Sequence, residues 1–238
     1  MTRCPLLLPQ KRPSPQTHLN VGVSRQKRML EYYEKRCSEY EAIYAKPERQ
    51  HCLAQLEQEL CSLVAGKHVL EVACGTGYWT RRMANTAASL YASDASQQLA
   101  LAARESCGGM NVQAGVIDAF SIPPRVEFNC LVAGFFFSHV LVQERSSFLV
   151  GVAAALRPGS RVVLFDNRFV PGSSTPISRT TGAGDTYQNR SLVDGSSFEV
   201  LKNFPSTDQV ASLLGELCST VSTYENEYFW LVSGETLG

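Results

Sequence analysis

Residues 68–79 read HVLEVACGTGYW, a strand-like run that ends in Glu71 and gives way to small residues, Gly75, Gly77 and aromatics. Glycine at a strand-to-helix turn can take positive φ and lets the backbone approach a ligand closely. In a parallel sheet the first such turn is where nucleotides bind. A dinucleotide fingerprint of the G-x-G-x-x-G kind needs a third glycine, and Thr80 stands at that position. Two further acids close later apolar runs, Asp94 in LYASD and Asp118 in VIDA. His139, in FFFSH after the fourth run, is a candidate general base, or else a structural hydrogen-bonding group. Asp166-Asn167-Arg168 follow the fifth run, where Asp166 or Asn167 could bind or deprotonate a substrate. Arg168 and Arg179 are candidates for an anionic group on it, and Phe136 for an apolar wall.

These residues need a scaffold that brings strand ends to one edge. Short apolar runs at 68–73, 89–93, 111–116, 128–134 and 161–166 alternate with helical segments at 79–88, 96–106 and 143–156. Such alternation predicts right-handed βαβ crossovers and a mostly parallel α/β sheet with helices on both faces. Residues 25–64 read as helix broken at Pro47, with Tyr33, Cys37, Tyr40 and Tyr44 on one face and Leu53, Leu56, Leu60 and Leu63 or Val64 on the next. Asp194-Gly195 predicts a hairpin between 187–192 and 197–201. A helix capped by Ser206 or Thr207 is expected to run to Cys218, followed by two strands turning near Asn226.

The string Glu71-Val-Ala-Cys-Gly75-Thr-Gly77 resembles motif I of the class I S-adenosylmethionine-dependent methyltransferases. The resemblance extends over about residues 29–233 and implies a Rossmann-like seven-stranded sheet whose last strand is antiparallel. It implies that Glu71, Ala73, Gly75 and Gly77 surround the methionine part of the donor. Asp94 with Ala95 would take the ribose hydroxyls, and Asp118 with Ala119 would meet the adenine. An acid suits a ligand bearing ammonium and sulfonium and repels a pyrophosphate. Tyr32-Tyr-Glu-Lys-Arg-Cys-Ser-Glu-Tyr40 is similar to the lid helix of small-molecule members, with Tyr33 and Tyr40 as donor contacts and Arg36 as a further one; core packing is the alternative for such a stripe. The implied cofactor is S-adenosyl-L-methionine, leaving S-adenosyl-L-homocysteine as product, with no metal. Methyl transfer to an O or N atom of a small molecule, of the secondary-metabolite kind, is the expected activity.

Composition narrows the remaining options. Lys+Arg and Asp+Glu are both 22, so there is no basic excess for nucleic acid. No apolar run reaches the length of a membrane span. Eight cysteines without a C-x-x-C pair or zinc spacing read as reduced thiols, hence a cytoplasmic setting. A small-molecule acceptor and a monomer or homodimer are expected. The proline-rich first 24 residues are expected to form a disordered tail; the basic, acid-free character of residues 1–30 faintly resembles a transit peptide. Residues 25–238 would form the catalytic domain, with 25–65 as lid and 170–204 as substrate-side insertion. Two other functions compete: a nicotinamide-dependent oxidoreductase, and a non-catalytic donor-binding scaffold.

Overall fold

The computed structural model describes residues 26–237, so the expectations for 1–24 fall outside the described residues. Helix α1, described over 26–35, is followed by 3-10 turns at Cys37–Tyr44 and Pro47–Arg49 and by α2 (Gln50–Val64). The chain then alternates through β1 (His68–Val72), α3 (Tyr78–Met83), β2 (Ser89–Asp94), α4 (Gln97–Ser106), β3 (Val112–Val116), β4 (Cys130–Gly134), α5 (Arg145–Ala154) and β5 (Arg161–Asn167). After β5 come β6 (Arg179–Thr180), β7 (Thr186–Ser191), β8 (Ser197–Leu201), α6 (Thr207–Gly215), β9 (Cys218–Glu225) and β10 (Phe229–Thr236).

The main sheet has seven strands in the order β3-β2-β1-β4-β5-β10-β9. β1 to β5 pair in parallel, and β10 runs antiparallel between β5 and β9. The order reverses between β1 and β2 on one side and β4 on the other, which opens a crevice above their carboxyl ends. β4 and β5 are almost wholly buried, as continuous apolar strands between two helical layers must be. One core lies under α2 and α3, where Leu53, Leu56, Leu60 and Val64 meet Val69, Trp79 and Phe165. The other lies under α5 and α6, where Phe148, Leu149 and Val210 meet Leu70, Leu164 and Trp230.

Two boundaries differ from the sequence reading, each for a local reason. α3 stops at Met83, well short of 88, because Arg81-Arg82-Met83 runs into a turn at 84–88 that feeds β2 directly. α6 stops at Gly215, and Cys218 already pairs with Thr236 in the sheet. Its cap is Ser206, in a reciprocal box with Gln209.

β6, β7 and β8 form a separate antiparallel sheet. Its inner face packs on α1: Tyr32 is buried with Leu192 and Val200, and its ring lies 5.4 Å from that of Phe198. The N-terminal helix and the hairpin thus brace each other above the crevice. The seven cysteines among the described residues are free thiols, and no helix there is long and apolar enough to cross a membrane.

Candidate functional site

The turn after β1 is held in left-handed backbone at three points, with φ of 54° at Ala73, 57° at Gly75 and 84° at Gly77. A Cβ on Gly75 would lie 3.2 Å from the Tyr40 ring. A Cβ on Gly77 would come within 2.6 Å of Ser106 Oγ and 3.0 Å of Ala103 Cα. Gly75 therefore lets the turn touch the N-terminal segment, and Gly77 lets it touch α4. Phe135, just after β4, is also left-handed, with φ of 56°. For a bulky residue that is a strained conformation of the kind found beside ligand sites.

Asp94 ends β2 and is buried. One carboxylate oxygen accepts the Gly75 N–H at 3.0 Å, the other the Ser96 N–H at 2.9 Å. A carboxylate has about four acceptor positions, so Asp94 keeps acceptor capacity for a ligand carrying hydroxyls. Burial pushes its pKa upward, against those backbone bonds. Asp118 accepts the Phe120 N–H at 2.9 Å.

A cavity of about 240 Å³ opens along these strand ends. Ala73, Gly75, Asp94, Ala95, Asp118 and Ala119 line it from below, while Tyr33, Tyr40, Met29 and Leu30 line it from the N-terminal segment. A second cavity, of about 310 Å³, lies beside it between α1, the 3-10 turns and the hairpin sheet. Tyr33, Tyr40, Phe135 and His139 belong to both walls.

His139 is buried on that shared wall. Its Nδ1 lies 2.5 Å from the Leu201 carbonyl, which can only accept, so Nδ1 carries the proton. Nε2 is then a lone-pair acceptor, and the Tyr33 hydroxyl donates to it at 2.7 Å. Burial first, then the charges of Lys202 and Arg190, lower the imidazole pKa to about 3, so the ring is neutral at physiological pH. Burial likewise pushes Tyr33 up to about 12.

Asp166 does not line either cavity. It is fully buried and accepts from Lys202 Nζ at 2.6 Å and from the Ser138 N–H at 3.0 Å. Burial alone would raise its pKa, but the ammonium of Lys202 outweighs that and holds it below the usual value. Lys202 also donates to Ser138 Oγ at 2.6 Å, one residue from His139. Glu71 too stands back from the cavity, accepting from Thr80 Oγ1 at 2.6 Å; burial raises it to about 8. Thr80 thus occupies the third-glycine position because it serves the buried carboxyl.

A profile of the methyltransferase domain family matches residues 69–159. Curated relatives are an uncharacterized methyltransferase of Anoxybacillus flavithermus (strain DSM 21510 / WK1) and one of Geobacillus sp. (strain WCH70). Each is 26% identical over 106 residues, which is 44% of this chain. The match spans 50% and 49% of those proteins, about half their length. Among solved structures, the DhpI–SAH complex is 27% identical with a TM-score of 0.71, covering 89% of this chain and 96% of that one. The DhpI–SAM–HEP complex is 26% identical with a TM-score of 0.69, covering 88% and 97%. The methyltransferase-domain match and the likeness to the two DhpI complexes over nearly the whole chain support a class I S-adenosylmethionine-dependent methyltransferase.

Of the residues singled out in the sequence, Tyr33, Tyr40, Ala73, Gly75, Asp94, Ala95, Asp118, Ala119, Phe136 and His139 line the first cavity. Asn167 lines the second. Phe136 was expected at the acceptor, yet it sits on the first cavity, against the ring of Phe120 at 5.5 Å. Arg168 and Arg179 lie elsewhere: Arg168 donates to the Asn226 carbonyl at 2.6 Å, and Arg179 pairs with Glu199 at 2.7 Å on the exposed hairpin. Sequence reasoning passed over Arg49, Arg190 and Lys202, all on the second cavity. Met29 and Leu30 were legible, since they continue the Tyr33 stripe by three- and four-residue steps.

Proposed function

We propose that this chain transfers a methyl group from S-adenosylmethionine to an O or N atom of a small-molecule acceptor. The single observation that supports this most is the pair of adjoining cavities with Tyr33, Tyr40, Phe135 and His139 in both walls. The donor, when bound, supplies a methyl carbon already activated by its sulfonium. The chain's task is then alignment and exclusion of water, which can account for most of the acceleration.

In this reading Asp94 takes the ribose hydroxyls with its remaining acceptor capacity, and Asp118 and Ala119 border the adenine. The turn at Ala73 and Gly75, with Tyr40 across it, encloses the methionine portion. The electron-rich faces of Tyr33 and Tyr40, whose ring centroids are 5.9 Å apart, suit a sulfonium. His139 presents Nε2 to the acceptor in place of the Tyr33 hydroxyl and accepts its proton or hydrogen bond. Asp166 acts one step back: with Lys202 it fixes Ser138 and the end of β8, whose Leu201 carbonyl orients His139. Residues 25–65 serve as lid and 170–204 as acceptor-side insertion.

Isothermal titration with S-adenosylhomocysteine and with NAD⁺ tests the donor assignment. Wild type should bind the nucleoside in the micromolar range, and Asp94→Asn should weaken it at least tenfold. Binding of NAD⁺ in its place, or binding indifferent to Asp94, refutes the proposal.

A further inference from the structure

The second cavity carries more positive charge than the protein answers. Its lining includes Arg36, Lys46, Arg49, Arg190 and Lys202, and its one carboxylate is Glu39. Lys202 is satisfied by Asp166. Glu39 is turned to the hairpin, where it accepts the Val193 N–H at 3.2 Å. No carboxylate among the described residues forms an ion pair with Lys46, Arg49 or Arg190.

Arg49 is the telling case. It is only 8% exposed. Its Nε donates to Ser173 Oγ at 2.9 Å and its Nη1 to Asn167 Oδ1 at 3.2 Å. Nη2 is buried with no hydrogen-bond partner. A buried guanidinium held by two neutral groups and an aromatic face, Tyr228 at 4.9 Å, meets a carboxylate only beyond Ser173, where exposed Glu48 accepts from the same hydroxyl at 2.7 Å, and it makes no ion pair of its own. Arg190 is similar: Nε and Nη2 both donate to the amide oxygen of Gln188, at 3.3 and 2.8 Å. Lys46 Nζ reaches only the Ser173 carbonyl.

We infer that the acceptor carries a carboxylate or phosphoryl anion, and that Arg49, Arg190 and Lys46 hold it in this second cavity. The inference rests on the methyltransferase reading for its word acceptor, and on the unanswered cations for its chemistry. Guanidinium forks match the oxygens of either anion. An anion there would also offset the Arg190 charge, which adds to burial and Lys202 in lowering the His139 pKa. The anchoring charge would lie across the shared wall from the donor, leaving His139 beside the reacting atom.

The test is calorimetry on the full chain saturated with S-adenosylhomocysteine, titrated with inorganic phosphate and with acetate at constant ionic strength. At least one anion should bind saturably at a single site, and Arg49→Met and Arg190→Met should each weaken it tenfold or more. Arg49→Lys should restore part of the loss. Tighter phosphate assigns a phosphoryl group, and tighter acetate a carboxylate. Both variants should bind S-adenosylhomocysteine as wild type does, which shows that they fold and separates this site from the donor's. If the nucleoside binds but neither anion does, or if anion binding ignores both arginines, the inference is overturned. If the anion binds at the arginines but the nucleoside does not bind, the site stands and the methyltransferase reading fails.

Discussion

Replacing Lys202 by Met should expose how the acceptor side is held together. Asp166 is 0% exposed and Lys202 4%, so neither charge can fall back on water. Without the ammonium, Asp166 keeps only the N–H groups of Ser138 at 3.0 Å and Asn167 at 2.7 Å, with the Asn167 amide at 3.3 Å. Removing one partner of a buried pair costs about 3–5 kcal/mol. At about 2–4 °C per kcal/mol for a domain of this size, the melting point should fall by roughly 6–20 °C. The pH dependence should also change sign. In wild type the carboxyl of Asp166 is held below its unfolded value, so its stabilisation is present at neutral pH and is lost as acid titrates the native pair. In Lys202→Met, burial governs and raises that carboxyl, so the native state binds the extra proton and the deficit shrinks as pH falls from 7 toward 5. The double variant Asp166→Asn/Lys202→Met should recover more than half of the loss. Urea melts at both pH values measure this. A single-variant cost below about 1 kcal/mol, or a double variant no better than the single, would refute the reasoning.

Two other perturbations follow from the donor side. Glu71 is raised to about 8, first by burial and further by Asp94, against the Thr80 hydrogen bond. Between its unfolded value and pH 8 the native state holds a proton that the unfolded chain has lost, so stability falls by about 1.4 kcal/mol per pH unit. Glu71→Gln removes that slope, and from pH 6 to pH 8 it should gain roughly 2–3 kcal/mol on wild type in urea melts; parallel curves would show that Glu71 is ionised in the fold. Gly77→Ala should destabilise by about 1–3 kcal/mol, since φ is 84° and the new Cβ would meet backbone of Ala103 at 3.0 Å as well as Ser106 Oγ. Gly109→Ala has the same sign of φ and open space, so it should cost less by thermal denaturation; equal losses would mean that strain alone matters at Gly77.

The sequence by itself determined the α/β architecture and one side of the site. Strand-length apolar runs and helical periodicity are local, and a parallel sheet converts the end of each run into a position on a common edge. That is why Gly75, Asp94 and Asp118 could be collected from a linear reading and why they line one cavity. Tyr33 and Tyr40 followed from helical spacing, although the segment carrying Tyr40 is a 3-10 turn. The acceptor side could not be read this way. Lys202 lies 36 residues from Asp166, Arg49 lies 118 from Asn167, and His139 lies 106 from Tyr33. No periodicity links such distances. Only the packing of α1 against the hairpin sheet brings these charges together, and burial then decides which of them have partners. Arg168 and Arg179 looked equivalent to Arg49 as residue types, but the fold pairs them on the surface and leaves Arg49 buried with a free donor.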